Sequence, residues 1–259
     1  MVDEGASTGT LGKAVAVLDA IAKSPHPPKF RDLRTSIAQP PGTLHRNISN
    51  LVREGLVRVN PDQSYSLGYR LLTFASAAWA ANRFREIAEP HLRALHQATQ
   101  ETVHLGVLQG LEVVYLDKVE SKQAVRMHSQ IGKASPAFCT GVGKAAMSVL
   151  QDDDMRLAVN SIDFHPFTDR TIMSAETLEA ELLAIAQQGY GFDDEEHEDG
   201  IHCVAAPIHS HDKSFVGGIS VTAPRYRVPK AQLNQWVPLV VKTAASITQD
   251  ISIQLGPRA

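Results

Sequence analysis

The chain has 259 residues, of which 43% are hydrophobic and 20% are charged, and its formal net charge is -3 at pH 7. This composition is that of an ordinary globular protein with room for two domains. No run of about 18 apolar residues occurs, and the N-terminus lacks the basic and apolar segments of a signal peptide. We therefore expect a cytoplasmic protein without a membrane partner, whose two cysteines, Cys139 and Cys203, remain thiols.

The first part of the chain is predicted to be helical after a short disordered start. Residues 1–9 are polar and glycine-containing, which is typical of disorder. In residues 11–22 the apolar side chains Leu11, Val15, Leu18 and Ile21 recur at helical spacing. This spacing predicts a helix that buries these four side chains against the elements that follow.

Residues 30–67 carry a pattern of helix, turn, helix and hairpin. Pro41 suits the first turn of the second helix, because its missing N–H would have no partner there. Gly55 ends that helix, and two β-prone runs at 56–59 and 65–67 flank turn-forming residues. Two helices joined by a turn and followed by a hairpin predict a winged helix-turn-helix.

The second helix of this motif has two different faces. Leu44, Ile48, Leu51 and Val52 share the apolar face. The opposite face, together with Arg31 on the preceding helix, offers groups suited to base edges and phosphates. The predicted DNA-contacting residues are Arg31, Thr43, His45, Arg46, Ser49, Asn50 and Arg53. The alternative is a three-helix domain whose polar face is only solvated.

Charge is distributed unevenly along the chain. Residues 1–70 contain nine basic and six acidic side chains, a balance of +3, so the remainder carries -6. A basic module on an acidic body is typical of a protein that meets phosphate at one end only.

An alanine-rich stretch follows the hairpin, with little charge before Arg83. We predict a linker and dimerisation helix over residues 69–85, because a lone winged helix reads too few base pairs and a second subunit doubles the site. A plain interdomain linker helix is the alternative. Pro90 is expected to open a further helix.

From residue 102 the apolar period becomes that of strands. Extended runs are predicted near 102–107, 113–116, 124–127, 201–208 and 215–222. Helices are predicted from 141 to 150, from 177 to 188 and from 229 to 255. Together they predict an α+β domain with one antiparallel sheet.

Four segments carry a resemblance to a known family: residues 43–57, TGVGKAA at 140–146, GYGFDDEEHEDGIHCVAAPI at 189–208, and GGISVTAP at 217–224. The chain closely resembles the IclR-type family of bacterial transcription regulators over essentially its full length. The resemblance implies a winged helix-turn-helix at 10–68, a linker helix at 69–85 and a GAF-like effector domain at 86–256. It also implies a dimer, or a dimer of dimers, that binds double-stranded operator DNA.

The same resemblance implies control by a small, often carboxylate-bearing metabolite, with repression as the favoured mode. It places Asp193, Cys203, Ser220 and Thr222 in the effector pocket as polar groups. Gly141 and Val142 would supply backbone amides, which suit an anion at a helix start. Ser220 and Thr222 lie two apart on a strand and so face one side. Met127 and Phe138 are candidate apolar walls.

Other readings of these residues stay open. Ser220 and Thr222 could bond only to backbone, and Cys203 could be a small buried hydrophobe. Beside an anion, Asp193 is either protonated or accepts a hydrogen bond from a hydroxylated ligand or water.

The sequence departs from the family at two places near the second helix. Pro40, Pro41 and Gly42 stand where relatives have a serine or threonine, so the N-cap is lost and the helix could start late. Asn47 takes a position that is usually apolar. Both departures affect the details of base readout.

Three further patterns are weaker. Residues 141–144 resemble a phosphate loop, but the Walker spacing fails. His197, His202, Cys203, His209 and His211 are metal-ligand types, yet their placement spreads them over both faces of a strand, so no metal or cofactor is expected. We read the acidic run 193–196 as a solvated loop with only Asp193 turned inward. An enzyme anchored to nucleic acid is the alternative function, but no catalytic motif supports it.

Overall fold

The chain divides between Asn82 and Arg83 into two units, inside the stretch predicted to be a linker. A computed structural model describes residues 9–123, 129–213 and 215–255. In the described part of the chain, no helix combines the length and apolar character needed to cross a membrane.

The first unit is a winged helix-turn-helix, as predicted. Its core contains seven buried apolar residues from the three N-terminal helices and the hairpin. In chain order its elements are α1 (Gly9–Lys23), α2 (Phe30–Ser36), α3 (Pro41–Arg53), β1 (Val57–Val59), β2 (Tyr65–Leu67) and α4 (Arg70–Ala80). The hairpin strands β1 and β2 pair antiparallel.

The inward face of α1 differs from the prediction. Val17 and Ile21 are buried, whereas Leu11 is 72% exposed and Val15 is 45% exposed. Both pairs have a spacing of four residues, so periodicity alone did not decide which of two adjacent apolar stripes faces the core. The exposed stripe leaves apolar surface on this unit.

Helix α3 begins at Pro41, where the sequence placed it, although no side chain caps it. The Pro40 carbonyl instead accepts hydrogen bonds from the backbone N–H groups of Thr43 and Leu44, at 2.9 and 3.0 Å. The fixed backbone angle of Pro41 suits a first helical turn. The lost N-cap therefore does not delay the helix.

The predicted helix opening at Pro90 is wrong. The predicted linker helix over residues 69–85 is also not continuous: α4 ends at Ala80, the chain is not helical at Ala81 and Asn82, and α5 runs from Arg83 to Thr99 with Pro90 inside it. Proline removes one helical hydrogen bond, but Ile87, Leu92 and Leu95 of α5 are buried in the core of the second unit. That burial holds the helix together across the proline.

The second unit has the predicted α+β architecture. After α5 its elements are β3 (Thr102–Gln109), β4 (Glu112–Val119), β5 (Ala134–Pro136), α6 (Gly141–Met147), α7 (Asp152–Asn160), α8 (Ala175–Gln188), β6 (Gly191–Asp194), β7 (Ile201–His209), β8 (Val216–Pro224), α9 (Lys230–Gln235) and α10 (Val237–Leu255). The sequence analysis missed β5, α7 and β6. The predicted run 124–127 lies outside the described residues.

One six-stranded antiparallel sheet, in the order β5-β4-β3-β8-β7-β6, organises this unit. Side chains alternate between its two faces. One face packs α5 and α10 over a core that includes Val103, Val204 and Val221. The other face carries residues adjacent in sequence to these, such as His104, Cys203 and Thr222, and it meets α6.

The C-terminal segment forms two helices and not the single long one predicted. Helix α9 ends at Gln235 and α10 begins at Val237. Pro238 follows the break, and a residue without an N–H fits the first turn of a new helix better than a helix interior. The expected inward residues Val240, Ala244, Ile247 and Ile251 are buried.

Candidate functional site

Helix α3 presents a polar surface to solvent. His45, Arg46, Ser49 and Arg53 are exposed, and Thr43 and Asn50 are partly exposed. The Arg53 guanidinium donates to Asn50 Oδ1 over 3.0 Å, and the His45 ring lies 6.0 Å from the Phe30 ring. Arg31 on α2 is also exposed. All seven predicted DNA-contacting side chains are therefore accessible to a partner.

Asn47 interrupts the apolar side of the same helix. Its side chain is 1% exposed, and its Nδ2 donates to Gln39 Oε1 over 3.0 Å. Its Oδ1 has no hydrogen-bond partner in the described part of the chain. A buried polar atom without a partner costs stability, so Asn47 weakens the core of this unit.

The second unit contains a cavity of about 140 Å³ on the α6 face of the sheet. Most of the residues that line it have polar side chains. The lining residues are His104, Tyr115, Ser129, Lys133, Ser135, Thr140, Gly141, Val142, Asp193, His197, Glu198, Ile201, Cys203, Ser220 and Thr222.

Strand register explains why residues distant in sequence meet in the cavity. Asp193 pairs with Cys203, and Cys203 pairs with Thr222, so these side chains form a row across β6, β7 and β8. Two residues along, Ser220 of β8 pairs with His104 of β3. Directly paired residues point to the same face, which places all five over one patch of the sheet.

Helix α6 closes the cavity with its first residues, and Gly141 permits the close approach. A Cβ on Gly141 would lie 2.3 Å from Cys203 Sγ and 3.3 Å from Ala205 Cβ, so any larger residue would push the helix off β7. The first N–H groups of a helix have no intrahelical partner. Gly141 and Val142 both line the cavity, so the first turn of α6 borders it.

Asp193 is the buried acid of the cavity, and its Oδ1 accepts a hydrogen bond from the Glu196 backbone N–H over 2.8 Å. Burial, and then the neighbouring Glu196 carboxylate, raise the pKa of Asp193 to about 7. Burial likewise raises the pKa of the Cys203 thiol to about 12, so Cys203 is an uncharged thiol at neutral pH. Near neutral pH, Asp193 can be either a hydrogen-bond donor or an acceptor.

His104 lies on the sheet floor within a chain of polar side chains. Its Nε2 is 2.7 Å from Ser129 Oγ, and its Nδ1 is 3.2 Å from Thr222 Oγ1 and 3.4 Å from Ser220 Oγ. The two hydroxyl oxygens are 3.2 Å apart. Burial, reinforced by the Lys118 charge, lowers the pKa of His104 to about 3, so the ring is neutral.

A buried ion pair lies behind the α6 wall. Lys144 is 1% exposed, and its Nζ lies 2.5 Å from Glu196 Oε1 and 3.3 Å from Glu181 Oε1. Burial alone would lower the pKa of Lys144, but the two carboxylates raise it, so the ammonium stays charged. This pair ties α6 to the turn after Asp193. Lys144, which belongs to the residues 141–144 that resemble a phosphate loop, is therefore paired with carboxylates.

The prediction for the acidic run 193–196 was partly wrong. Asp193 faces inward as expected, but Glu196 is also buried, because it pairs with Lys144. Asp194 and Glu195 form ion pairs with Arg170 and Arg225.

Six of the eight predicted effector residues line the cavity: Gly141, Val142, Asp193, Cys203, Ser220 and Thr222. Phe138 does not line it. Its ring instead packs against Phe164, with the centroids 5.3 Å apart, in the separate apolar cluster under α7 and α8. Met127 lies outside the described residues.

Sequence reasoning missed His104, Tyr115, Lys133 and His197. A signal for His104 existed: the strand alternation that makes Val103 and Leu105 inward puts the residue between them on the other face. The remaining misses come from loops or from β4, whose facing depends on register. The predicted alternation of neighbouring residues between the two faces of a strand holds for His202 and Cys203, because only Cys203 lines the cavity. Across the described ranges, no three His, Cys, Asp or Glu side chains are grouped to hold a metal.

An accessible polar helix on a winged helix-turn-helix, joined in one chain to a sheet domain with a polar cavity, defines a class: transcription regulators that sense a small molecule. Two family models match the chain, "IclR helix-turn-helix domain" at residues 10–61 and "Bacterial transcriptional regulator IclR C-terminal" at residues 77–249. The chain belongs to the IclR family of bacterial transcriptional regulators.

Individual relatives agree with this assignment. The chain is 30% identical over 222 residues to the "HTH-type transcriptional regulator XynR" of Escherichia coli K12, covering 85% of this chain and 88% of that protein. It is 27% identical over 242 residues to the "Transcriptional repressor IclR" of the same organism, covering 92% and 88%. The crystal structure of Thermotoga maritima IclR superposes with a TM-score of 0.69 at 29% identity, covering 97% of this chain and all of that one.

Proposed function

We propose that the chain represses transcription by binding a near-palindromic operator as a dimer or a dimer of dimers, and that a small anionic metabolite controls this binding. In this proposal residues 10–68 read DNA, residues 69–85 join subunits and residues 86–256 sense the metabolite. The protein acts in the cytoplasm, where its DNA lies, and it is not an enzyme. Two relatives are repressors by name, the "Transcriptional repressor IclR" of Escherichia coli and the "Acetate operon repressor" of Salmonella typhimurium, which supports repression.

The accessibility of one face of α3 supports the assignment of the DNA-binding residues. Its apolar side is held in the core by Leu44, Ile48 and Leu51, so the opposite side is free to enter a major groove. Arg46 and Arg53 supply charge for phosphates or guanine edges. We assign base readout to this face and backbone contact to Arg31.

The cavity supports control by a small molecule. It combines backbone donors at the start of α6 with hydroxyls on β8 and an ionisable carboxyl group, a convergence typical of small-molecule sites. An IclR homologue of Microbacterium hydrocarbonoxydans was crystallised in complex with 4-hydroxybenzoate, which shows that the fold accepts a small carboxylic acid in that protein. We propose that the ligand carboxylate meets the Gly141 and Val142 amides.

Helix α4 supports the dimer. It buries none of its residues within the chain, and Leu72 and Phe74 are 65% and 51% exposed. Such an apolar helix is normally covered, and a second copy would pair two recognition helices for two half-sites. We propose that ligand binding changes the spacing of the paired helices and hence their fit to the half-sites.

The test is a gel-shift titration with full-length protein and the promoter region next to its own gene. We expect a site-specific shift that weakens as salt rises, because phosphate contacts release counterions. Scrambled DNA of equal length is the control. The absence of a specific, salt-sensitive shift would contradict the proposed regulator function. Thermal-shift screening of short organic acids then identifies the ligand, since a molecule that binds the folded form raises its melting temperature.

The dimer is tested separately by sedimentation. Phe74→Glu should convert dimers to monomers, while Leu157→Glu, at an exposed apolar position on α7, should not. Unchanged dimers in Phe74→Glu would contradict the role of α4.

A further inference from the structure

Helix α3, to which we assign base readout, meets helix α4 at one junction in the first unit. Helix α3 ends at Arg53 with Glu54 as its C-terminal cap, and α4 begins at Arg70. The hairpin between them returns the chain to its starting point, because the Gly68 N–H donates to the Leu56 carbonyl over 2.8 Å. The start of α4 therefore lies beside the end of α3.

Gly68 brings the two backbone segments of this junction into contact. A Cβ on Gly68 would lie 2.0 Å from the Gly55 carbonyl oxygen, so a larger residue would push the segments apart. This contact fixes where α4 starts relative to the end of α3. It does not fix the direction of α4, because a helix held at one end can tilt about that end.

Arg70 bridges the two helices at the junction. Its Nη1 donates to the Glu54 carbonyl over 2.9 Å and to Glu54 Oε2 over 2.7 Å. Carbonyls at the C-terminal end of a helix lack intrahelical partners and favour a cation. The Arg70 guanidinium carbon also lies 5.3 Å from the centre of the Phe74 ring, one turn further along α4. Arg70 thus contacts both the end of α3 and the first turn of α4.

The direction of α4 depends on such contacts, because α4 buries none of its residues in the core of the unit. With 11 residues, α4 is about 16 Å long. A tilt of about 12° would move its far end by about 3 Å, which is close to the rise of one base pair. A small change of angle at the junction therefore matches a change of one base pair in the distance between half-sites.

We propose that Arg70 is a positioning residue for operator recognition: by bridging α3 and α4 it fixes the angle between them, and this angle sets the half-site spacing that the paired subunits accept. The proposal rests on the proposed function, because it needs subunits joined through α4 and a near-palindromic operator. The bridge is exposed, with 47% of the Arg70 side chain and 57% of the Glu54 side chain accessible. Exposed ion pairs contribute little to stability, so its loss should change the geometry of binding and leave the fold intact.

The test uses the promoter fragment that the wild-type protein shifts, and copies with one base pair inserted or removed at the centre of the near-palindrome. Fluorescence anisotropy with the full-length protein gives the affinity for each spacing. We expect the wild type to prefer the original spacing at least about tenfold, as for one mismatched base pair. Arg70→Ala should bind the three spacings within about threefold of one another, whereas Arg70→Lys, whose ammonium can still donate to both Glu54 oxygens, should keep most of the preference.

Two further variants separate positioning from a direct contact between Arg70 and phosphate. Glu54→Ala removes a carboxylate, which cannot bind phosphate, and leaves Arg70 with the carbonyl alone. It should relax the spacing preference in the same direction as Arg70→Ala, but by less. Arg34→Ala, at an exposed arginine of α2, removes the same charge from a different helix and should keep the full preference.

An unchanged spacing preference in Arg70→Ala would overturn the proposal, and Glu54→Ala decides in the same way if Arg70→Ala does not fold. An equal loss of affinity at every spacing in Arg70→Ala, with a weaker salt dependence, would also overturn it, because that result assigns Arg70 to a phosphate. Equal affinity of the wild type for all three spacings would leave nothing for Arg70 to set and would overturn it too. Failure of the proposed function is distinguishable, because the wild type would then show no specific shift with the original fragment.

Discussion

The two units hold their functional side chains in opposite environments. In the first unit the buried residues are mostly apolar, with Asn47 and Ser64 as buried polar residues, and the predicted DNA-contacting groups lie on the surface. In the second unit the functional groups, including Asp193 and His104, lie inside the fold. A surface group can be removed at little structural cost, whereas a buried polar group is coupled to its neighbours in energy and in charge.

This difference has a consequence for how each unit can change. Substitutions on the α3 face should alter affinity for DNA and leave stability nearly constant. Substitutions in or behind the cavity should alter stability, ligand affinity and pH dependence together. The following predictions test that contrast, starting with the largest effect.

Lys144→Ala should strongly destabilise the second unit. It leaves Glu196 buried without its partner, and breaking one side of a buried ion pair costs about 3–5 kcal/mol. Urea denaturation followed by circular dichroism measures the loss. Lys242→Ala, at an exposed position on α10, is the control and should change little. A loss below about 1 kcal/mol would mean that the pair is screened as a surface pair is.

Arg46→Ala should weaken operator binding about ten- to hundredfold if the guanidinium reads a base. The free energy of unfolding should stay within about 0.5 kcal/mol of the wild type, because Arg46 is exposed. Fluorescence anisotropy with labelled operator at fixed salt gives the affinity. Arg156→Ala, at an exposed arginine of the second unit, should bind DNA normally. Unaltered DNA affinity in Arg46→Ala would contradict the assigned face.

The pH dependence of anion binding should follow Asp193, whose pKa is raised to about 7. Below that pH the group is a neutral acid that can donate to a carboxylate, and above it the carboxylate repels the ligand. Affinity for an anionic effector should therefore fall as pH rises through 7, by up to about tenfold per unit. Calorimetry from pH 6 to 8 measures the slope, and Asp193→Asn should flatten it. An equal slope in Asp193→Asn would assign the titration to another group.

Much of the fold could be predicted because helices and strands differ in the spacing of their apolar residues, and because particular residues mark where an element begins or ends. The start of α3 at Pro41 followed from local backbone chemistry, and so did the predicted end of α8 at residue 188, after which Gly189 adopts the left-handed conformation. The facing of α1 could not be predicted in the same way, since two apolar stripes compete and only tertiary packing selects one. The break at Trp236 was missed because apolar periodicity continues through it.

The candidate site was predictable only where a motif fixed it. Gly141 and Asp193 came from the family pattern, and Ser220 and Thr222 share a face by simple alternation. His104 reaches the cavity because β3 pairs with β8, and Tyr115 because β4 pairs with β3. Strand register is not visible in one sequence. Phe138 was placed wrongly for a different reason, because an aromatic residue beside a predicted pocket can equally pack in the neighbouring core.

Asn47→Leu should give the smallest effect of these variants, and it should raise the stability of the protein. The proposed function of the first unit gives the buried Asn47 side chain no role. Its Oδ1 lacks a hydrogen-bond partner in the described ranges. Leucine would extend the apolar side of α3 and leave Gln39, which is only partly buried, to bond with water. We expect a stability gain of about 1 kcal/mol, measured by denaturation of the whole chain. Asn50→Leu, at a partly exposed position on the same helix, serves as the control and should not stabilise. A loss of stability in Asn47→Leu would show that the Asn47–Gln39 bond positions α3, and that the first unit also depends on a buried polar contact.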